Sequence, residues 1–410
     1  MQFTDLHLNK SILKALTEER HHTPTLVQQK VIPLVLNKKD VIVAAQTGTG
    51  KTAAFALPII NELSKEADVE KRAKKIKALI ISPTRELAIQ IQENCKTYSK
   101  YTNVRTTVVY GGVPTQPQKD VLEKGVDILI ATPGRFIDLH KQGSIDVRQL
   151  TTFVLDEADL MLDMGFIDDV RKIEELCPRK KQTLLFSATI PDKVNDLATS
   201  MLYKPEKIDI SPTETTSKNI GQLLYYTPKK NKVDLCLHLL RNTIKGRIII
   251  FRRTKFGVDK LEKTLQKNGY KATSVHGDKS QNLRNQAIED FKSNKANILI
   301  ATDVAARGID ISKVDAVINV DLPNIPETYV HRIGRTGRAG KSGIAFSLCS
   351  ADETSYIKAI QEFMDRSIKI VEDHPFPLAK PKHKKQPNTV SKHKKGRKSE
   401  ASKRKKKRWY

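Results

Sequence analysis

Short apolar runs alternate along the chain with longer segments in which apolar residues recur every three or four positions. Six runs in the first half have the length of a β-strand: Val41 to Ala45, Ala78 to Ile81, Thr106 to Tyr110, Asp127 to Ala131, Thr152 to Leu155 and Thr183 to Phe186. Continuous apolar runs are typical of parallel strands, and the segments between them predict covering helices. The first half is therefore expected to form an α/β domain with a parallel sheet that ends near Ile210.

The pattern is interrupted once and then resumes. Residues 211–219, with the sequence SPTETTSKN, are polar and predict a linker. Six further apolar runs follow: Gln222 to Tyr226, Arg247 to Phe251, Thr273 to Val275, Asn297 to Ala301, Ala316 to Val320 and Ile344 to Leu348. We therefore expect two α/β domains, residues 1–210 and 220–370, followed by a tail, residues 371–410.

One apolar pentapeptide, ILIAT, occurs in both predicted domains, starting at Ile128 and at Ile298. A strand-like run, a glycine and a helix-period segment precede each copy, with Gly111 and Gly277 in equivalent places. This shared order indicates an internal duplication, although ILIA is also a common composition for a strand. Ligands bind beyond the carboxyl ends of parallel strands. The segments after the two copies are thus expected to face one ligand across a cleft.

The first predicted strand leads into a glycine-rich turn, AQTGTGKT, with the pattern of a phosphate-binding loop. Gly48 and Gly50 let backbone N–H groups curve around phosphates, Lys51 reaches the terminal phosphates, and Thr52 places a hydroxyl for Mg²⁺. Ala45 stands where the strict pattern has glycine. An ordinary strand-to-helix turn is the alternative interpretation, but the order of strand, loop and helix favours nucleotide binding.

Two acidic residues, Asp156 and Glu157, end a later apolar strand in the sequence LDEAD. A carboxylate at a strand end can hold Mg²⁺ through water, and its neighbour can orient and deprotonate an attacking water. Acidic residues at strand ends are often merely solvated. Together with a phosphate-binding loop, however, this pair favours catalysis of hydrolysis.

Two short motifs combine a hydroxyl, a proline and an arginine: SPTR at Ser82 to Arg85 and TPGR at Thr132 to Arg135. In each motif we expect the hydroxyl before the proline to cap a helix that begins at the proline. Helix N-terminal amides beside an arginine suit phosphodiester binding without base recognition. Capping alone is the alternative interpretation.

A third motif, HRIGRTGRAG, is rich in arginine and glycine and supplies Arg332, Arg335 and Arg338. An arginine presented across a cleft can neutralise charge that develops on a transferring phosphoryl group. A basic surface turn is the alternative interpretation of this motif.

The formal charge of +26 indicates a polyanionic partner. Residues 380–410 contain fifteen Lys and Arg but one acidic residue, Glu400, and so carry +14 of that charge. Their Lys, Pro and Ser content predicts disorder rather than a packed core. We interpret the tail as a tether for that polyanionic partner, with a solvated extension or a nuclear address as alternatives.

Four scattered cysteines without a C-x-x-C pair argue against zinc and fit a reducing compartment. No apolar run approaches the length of a membrane span, and the first ten residues lack the apolar core of a signal peptide. The sequence therefore predicts a cytosolic or nuclear location, and we favour the cytoplasm.

Taken together, the motifs resemble those of the DEAD-box ATP-dependent RNA helicases. The matching segments are PTLVQ, AQTGTGKT, PTREL, TPGR, DEAD, SAT, IIIFRRT with Phe251, QNLR, ARGID and HRIGRTGR, spread in this order over residues 3–350. HGDKSQ and FRRTKFGVDKL most resemble the bacterial RhlE-type branch. The resemblance implies two tandem RecA-like domains that bind and hydrolyse ATP while separating RNA duplexes or remodelling RNA-protein complexes.

The resemblance also implies roles for individual residues. Catalytic roles fall to Lys51, Glu157, Arg335 and Arg338. Contacts to ATP fall to Phe3 on the adenine ring, Gln28 on its edge, Asp310 on the ribose, and Ala45, Gln46, Thr47, Gly48, Thr49, Gly50, Lys51 and Thr52 around the phosphates, with Thr52 and Asp156 holding Mg²⁺. Contacts to RNA fall to Thr84, Arg85, Gly112, Thr132, Gly134, Arg135, Gly277, Gln281, Arg284, Thr302 and Asp303. Coupling of ATP state to RNA grip falls to Ser187, Thr189 and His331.

Two segments depart from the family pattern. The run from Glu19 to His22 replaces a glycine-aromatic pair, so its packing is expected to differ. Arg252 and Arg253 make the IIIFRRT segment more basic than usual, which is expected to strengthen the grip on the RNA backbone. Three alternatives to the helicase interpretation are an ATP-gated RNA clamp or scaffold without productive unwinding, a non-catalytic basic RNA-binding protein and a DNA helicase.

Overall fold

The computed structural model describes residues 1–46, 48–65, 75–210, 220–306, 314–337 and 343–378. These residues form two α/β domains, each with a seven-stranded sheet whose neighbouring strands pair in parallel. The proposed linker, residues 211–219, lies outside the described residues. So do residues 379–410, Thr47, Asp310 and Arg338.

The first domain has the strand order β3-β4-β2-β5-β6-β1-β7. Its strands are β1 (Val41–Ala44), β2 (Ala78–Ile81), β3 (Thr106–Val109), β4 (Ile128–Ala131), β5 (Thr152–Leu155), β6 (Gln182–Ser187) and β7 (Glu206–Asp209). Its helices are α1 (Lys10–Glu18), α2 (Leu26–Leu36), α3 (Lys51–Ser64), α4 (Arg85–Tyr98), α5 (Gln116–Glu123), α6 (Pro133–Lys141), α7 (Ala158–Asp163), α8 (Ile167–Glu175) and α9 (Asp192–Met201). Helices α1 to α4 cover one face of the sheet and α5 to α9 cover the other.

The second domain has the strand order β10-β11-β9-β12-β13-β8-β14. Its strands are β8 (Ile220–Tyr226), β9 (Ile248–Phe251), β10 (Ala272–Val275), β11 (Ile298–Ala301), β12 (Ala316–Asn319), β13 (Gly343–Cys349) and β14 (Lys369–Ile370). Its helices are α10 (Lys232–Asn242), α11 (Lys255–Lys267), α12 (Gln281–Lys292), α13 (Asp303–Ala306), α14 (Pro326–Ile333) and α15 (Thr354–Phe363). Helices α10 and α11 pack on one face, and α12 to α15 pack on the other.

The two sheets have the same topology. When the strands of each domain are counted from its own first strand, both orders become 3-4-2-5-6-1-7. The repeated ILIA segments form β4 and β11, which are equivalent in this order. The repeat therefore marks two copies of one fold rather than a coincidence of strand composition.

The second domain continues past residue 370, where the sequence analysis placed the start of the tail. The backbone N–H of Val371 donates to Leu224 O at 2.9 Å, and that of Leu378 donates to Tyr226 O at 3.0 Å. Phe376 packs against the core beneath α10 and α11. Residues 371–378 thus belong to the second domain, because they cover apolar surface beside β8.

Candidate active site

The glycine-rich loop joins β1 to α3 at the carboxyl edge of the first sheet. Gly48 and Gly50 have φ angles of +86° and +91°, in the left-handed region that favours glycine. Thr49 Oγ1 donates to Gln46 O at 2.8 Å and closes the turn. The loop presents the N-terminus of α3, where unpaired N–H groups and the helix dipole attract phosphate.

An ion pair joins this loop to the acidic turn after β5. Lys51 Nζ lies 2.8 Å from Glu157 Oε1, and both side chains are buried. Burial alone would lower the pKa of Lys51, but Glu157, Asp156 and Asp159 raise it above its ordinary value. Burial alone would raise the pKa of Glu157, but Lys51 holds it below its ordinary value. Both groups are therefore charged, with Lys51 at the phosphate-binding loop.

Asp156 offers a carboxylate oxygen for a cation. Its Oδ1 atom is buried and has no hydrogen-bond partner among the described residues. Burial raises the pKa of Asp156 to about 7 against the pull of Lys51, with Glu157 contributing to the rise. A divalent cation would relieve this crowding of negative charge, so the Asp156 carboxylate suits Mg²⁺, and the part of the Thr52 hydroxyl in holding the ion stays a prediction. The described residues contain no group of three His, Cys, Asp or Glu side chains suited to a metal.

Ser187, at the end of β6, connects both motifs of the nucleotide site. Its carbonyl accepts from Ala45 N at 2.9 Å, and its hydroxyl accepts from Asp159 N at 3.0 Å. Asp159 Oδ2 in turn accepts from Thr189 N at 3.1 Å and Thr189 Oγ1 at 3.2 Å. Glu157 adopts a left-handed backbone with φ 55°, a strained conformation that is common at functional sites. The acidic turn is therefore hydrogen-bonded directly to Ser187 and Thr189, and the coupling role of these two residues stays a prediction.

Gln28 is buried against the phosphate-binding loop. Its Nε2 donates to Gly50 O at 3.2 Å, and its Oε1 accepts from Thr25 N at 2.9 Å. Phe3 lies in the core of the first domain and is 5% exposed. The recognition of adenine by Gln28 and Phe3 stays a prediction.

Arg20 occupies the helix-end position in the segment that departs from the family pattern. Its φ is +56°, and the N–H of His21 donates back to Leu16 O at 2.9 Å. Helix ends of this geometry favour glycine. The substitution therefore strains the backbone at a cost of about 1 kcal/mol.

The structure describes two arginines of the second domain's basic motif, Arg332 and Arg335, and their surroundings differ. Arg335 and His331 contribute, after Lys51, to lowering the pKa of Glu157, so both face the acidic turn across the interdomain cleft. Arg332 instead lies inside its own domain, where its Nε and Nη2 pair with Asp303 at 2.5 and 2.8 Å. Arg332 is thus a structural residue of the second domain.

The predicted helix caps of the two hydroxyl-proline motifs have different outcomes. The prediction at Ser82 is wrong, because α4 begins at Arg85 and Thr84 Oγ1 accepts from Leu87 N at 3.3 Å. The second prediction is confirmed in position, since Thr132 precedes α6 and Pro133 is its first residue. Thr132, however, makes no side-chain capping bond, so capping alone does not account for its hydroxyl.

A cleft of about 420 Å³ lies between the two domains. Seven of the eleven residues expected to bind RNA line it: Thr84, Arg85, Thr132, Gly134, Arg135, Gly277 and Arg284. The Nη1 atom of Arg135 is buried there without a hydrogen-bond partner among the described residues. An unpaired guanidinium donor in a cleft suits a phosphate oxygen.

The other four expected RNA residues lie around this cleft. Gly112, with φ +78°, makes room for the Arg85 guanidinium, which a Cβ would overlap. Thr302 follows β11, and Asp303 pairs with Arg332. Gln281 joins the two domains. The structure brings all eleven to the same edge of the two sheets, and their contacts with RNA stay predictions.

Sequence reasoning missed Glu86, which holds the two domains together. Glu86 Oε1 lies 2.8 Å from Arg284 Nη2 and accepts from Gln281 Nε2 at 2.9 Å. The neighbouring Arg85 Nη1 donates to Gln281 Oε1 at 3.3 Å. The Arg284 and Glu86 side chains are 12% and 8% exposed, so this ion pair is largely shielded from water. Glu86 stands beside the PTR motif, but its partner is 198 residues away, and no local pattern indicates such a pairing.

We expect Glu86→Gln to weaken closure of the two domains. The change leaves Arg284 without its anion, and loss of one partner of a shielded ion pair is costly, on the order of 3 kcal/mol. The half-stimulating RNA concentration for ATP hydrolysis should rise at least tenfold, while nucleotide affinity of the first domain should not change. Glu93→Gln on the same helix is the matched control. Unchanged RNA dependence in Glu86→Gln would show that the pair does not contribute to closure.

Arg252 and Arg253 are paired with acidic residues of their own domain. Arg252 Nε lies 2.9 Å from Asp321 Oδ2, and Arg253 Nη2 lies 2.9 Å from Glu353 Oε1. The buried Lys232 also pairs with Glu353. Both guanidinium groups are thus engaged within their own domain, and their expected contribution to RNA binding stays a prediction.

Together, the two matched sheets, the phosphate-binding loop and the basic motif across the cleft define a nucleic-acid-dependent ATPase with two RecA-like domains. A family model for DEAD/DEAH box helicases matches residues 25–197, and a helicase conserved C-terminal domain model matches residues 231–340. The chain belongs to the DEAD-box ATP-dependent RNA helicases. It is 44% identical to the DEAD-box ATP-dependent RNA helicase RhpA of Helicobacter pylori over 370 residues, which are 90% of this chain and 74% of that protein.

Solved structures give the same family. Mss116p bound to ssRNA and AMP-PNP matches with a TM-score of 0.81 and 32% identity, over 90% of this chain and 78% of that one. Dbp5 of S. cerevisiae bound to RNA and ADP BeF3 matches with a TM-score of 0.79 and 31% identity, over 90% and 95%. Within the described residues, no helix is both long and apolar enough to span a membrane.

Proposed function

We propose that this chain uses ATP binding to close its two domains on RNA and uses hydrolysis to reopen them. The observation that best supports this cycle is the position of Arg335 and His331, which face Glu157 across the cleft. Closure would distort one RNA strand within the cleft and release its partner. A ligand that binds the closed form more tightly shifts the population towards it, and ATP and RNA each contact both domains in this scheme.

Within the closed site, each described residue has a separate task. Lys51 would leave Glu157 for the terminal phosphates, and Glu157 would then accept a proton from the attacking water. Arg335 would neutralise charge on the transferring phosphoryl group, with Arg338 beside it. Thr52 and Asp156 would hold Mg²⁺, which when bound neutralises phosphate charge. Gln28 and Phe3 would hold the adenine and Asp310 the ribose.

The experiment that tests this function compares ATP hydrolysis without nucleic acid, with single-stranded RNA and with single-stranded DNA of the same sequence. We expect stimulation by RNA alone, because the 2′-hydroxyl distinguishes the two. Equal stimulation by DNA would contradict RNA specificity. Release of a labelled strand from a short duplex separates a helicase from an ATP-gated clamp, which would hydrolyse ATP without releasing the strand.

We also propose a cytoplasmic location and a place in the RhlE-type branch. Four buried, unpaired cysteines support a reducing compartment, and the HGDKSQ segment supports the branch. Fractionation of cells with an antibody against the protein would test the location.

The basic tail is proposed to tether RNA. A chain truncated after Ala379 loses +14 of charge and none of the motif residues. If about five cations engage phosphates at once, the slope of log affinity against log salt should fall by roughly 3.5, at about 0.7 per contact. Between 50 and 200 mM salt this is roughly a hundredfold difference in salt sensitivity. Titrations of ATP hydrolysis with RNA should show it, and identical salt dependence in both chains would exclude the tether.

A further inference from the structure

The outward face of α11 carries a row of side chains that the ATP and RNA sites described above do not use. Phe256, Lys260, Lys263 and Lys267 recur at intervals of four, three and four residues, so they lie in one line along the helix. We call these four residues the α11 stripe. All four are exposed, and Phe256 is 76% exposed. The stripe is about 16 Å long at 1.5 Å per residue.

The stripe lies opposite the buried face of its helix. Val258, Leu261 and Leu265 pack into the core between α10, α11 and the sheet. These residues anchor α11 through its inner side, so the stripe contributes nothing to the core. Removal of stripe side chains is therefore expected to leave the fold intact.

The acidic residues of α11 point away from the stripe and towards the β10 segment. Asp259 Oδ1 lies 2.8 Å from His276 Nε2, and Glu262 Oε2 accepts from Ser274 Oγ at 2.8 Å. No ion pair links Lys260, Lys263 or Lys267 to another residue in the described part of the chain. On most protein surfaces, exposed lysines are interspersed with acidic side chains, whereas this row presents three unpaired positive charges in line.

One end of the stripe lies at the RNA cleft. Thr254 caps α11 directly after β9, and β9 is two strands from β10, or about 10 Å. Lys255 Nζ lies 2.5 Å from Asp278 Oδ2, which joins the start of α11 to the loop after β10. Gly277 in that loop lines the cleft. Phe256 thus follows directly after a residue that contacts the loop at the rim of the cleft, and the lysines continue away from it.

We propose that the α11 stripe binds the RNA segment that continues beyond the cleft. This proposal rests on the RNA-binding function proposed above. The three lysines pair with successive phosphates, and Phe256 stacks on the first base outside the cleft. Stacking on an exposed aromatic and backbone pairing with lysines are both independent of sequence, which suits an enzyme that contacts backbone rather than base edges. At the far end of the helix, Arg241 bonds to Asn268 and adds a further cation.

The test compares two RNA lengths, both with the full-length chain. The short RNA is the shortest single strand that stimulates ATP hydrolysis, and the long RNA adds a flank at either end. A variant with Lys260→Gln, Lys263→Gln and Lys267→Gln should respond to the short RNA like the wild type. With the long RNA its salt slope should fall by about 2, which corresponds to about twentyfold in affinity between 50 and 200 mM salt.

A matched control removes the same charge from the opposite side of the enzyme. Three exposed lysines lie at the amino ends of strands in the first domain, away from the cleft: Lys39 at β1, Lys180 at β6 and Lys207 at β7. Their triple change to Gln should leave both RNA responses at the wild-type level. If the two triple variants behave alike with long RNA, the stripe is a solvated surface and the proposal is overturned. Absence of stimulation of the wild type by RNA of any length would instead contradict the proposed function.

Phe256 is tested by fluorescence of 2-aminopurine at the first nucleotide outside the cleft. Stacking should quench the wild-type complex and the Phe256→Tyr complex, while Phe256→Ala should lose the quenching and bind long RNA about tenfold more weakly. Equal fluorescence in all three complexes would overturn the stacking role. A loss of short-RNA stimulation in Phe256→Ala would likewise contradict a role limited to the flank.

Discussion

Replacing Glu157 with Gln should abolish most multiple-turnover hydrolysis while leaving ATP and RNA binding in place. Gln has nearly the same shape and can still accept the hydrogen bond that Lys51 Nζ makes at 2.8 Å. It cannot accept a proton, and a positioned general base typically contributes 10² to 10⁴ in rate. The change also removes negative charge beside the phosphates, so ATP affinity should stay the same or increase.

Steady-state phosphate release with saturating RNA measures the turnover, and binding of a fluorescent ATP analogue measures the affinity. Glu175→Gln, on the exposed side of α8, removes one carboxylate elsewhere in the same domain and should hydrolyse ATP normally. Turnover of Glu157→Gln at the wild-type rate would show that another group acts as the base. A combined loss of ATP binding and turnover would instead indicate a damaged site.

The hydrophobic pattern predicts twelve of the fourteen described strands, including the edge strands β3 and β10. The twelve expected runs coincide with twelve strands, within two residues at each end. The two that the pattern misses are β7 and β14, which lie at the ends of their sheets. In β7 only Ile208 is buried, and both residues of β14 are exposed. A strand with so few buried residues needs no continuous apolar run, so periodicity does not reveal it.

Some residues of the candidate site can be placed from the sequence, and others cannot. Residues at the carboxyl ends of strands, such as Lys51 after β1 and Glu157 after β5, can be placed from sequence because strand ends in a parallel sheet share one edge. The pairing of Glu86 with Arg284 cannot, because it depends on how the two domains meet. The inward direction of Arg332 cannot be predicted from the sequence either, because HRIGRTGR contains three arginines at equal spacing and nothing in the motif distinguishes them.

Replacing Arg335 with Ala should lower RNA-stimulated hydrolysis on the order of 10³-fold if Arg335 acts as a full arginine finger. Arg335 faces Glu157 from the second domain, so its loss removes positive charge where the phosphoryl group transfers and leaves the first domain's contacts with ATP unchanged. Nucleotide affinity without RNA should therefore change little. Arg335→Lys keeps the charge but not the planar fork of donors and should recover only part of the rate.

Arg179→Ala, at an exposed position of the first domain, is the control for loss of one cation. Single-turnover hydrolysis of bound ATP separates this chemical step from product release, and a wild-type single-turnover rate in Arg335→Ala would exclude the finger role and leave Arg338 as the remaining candidate.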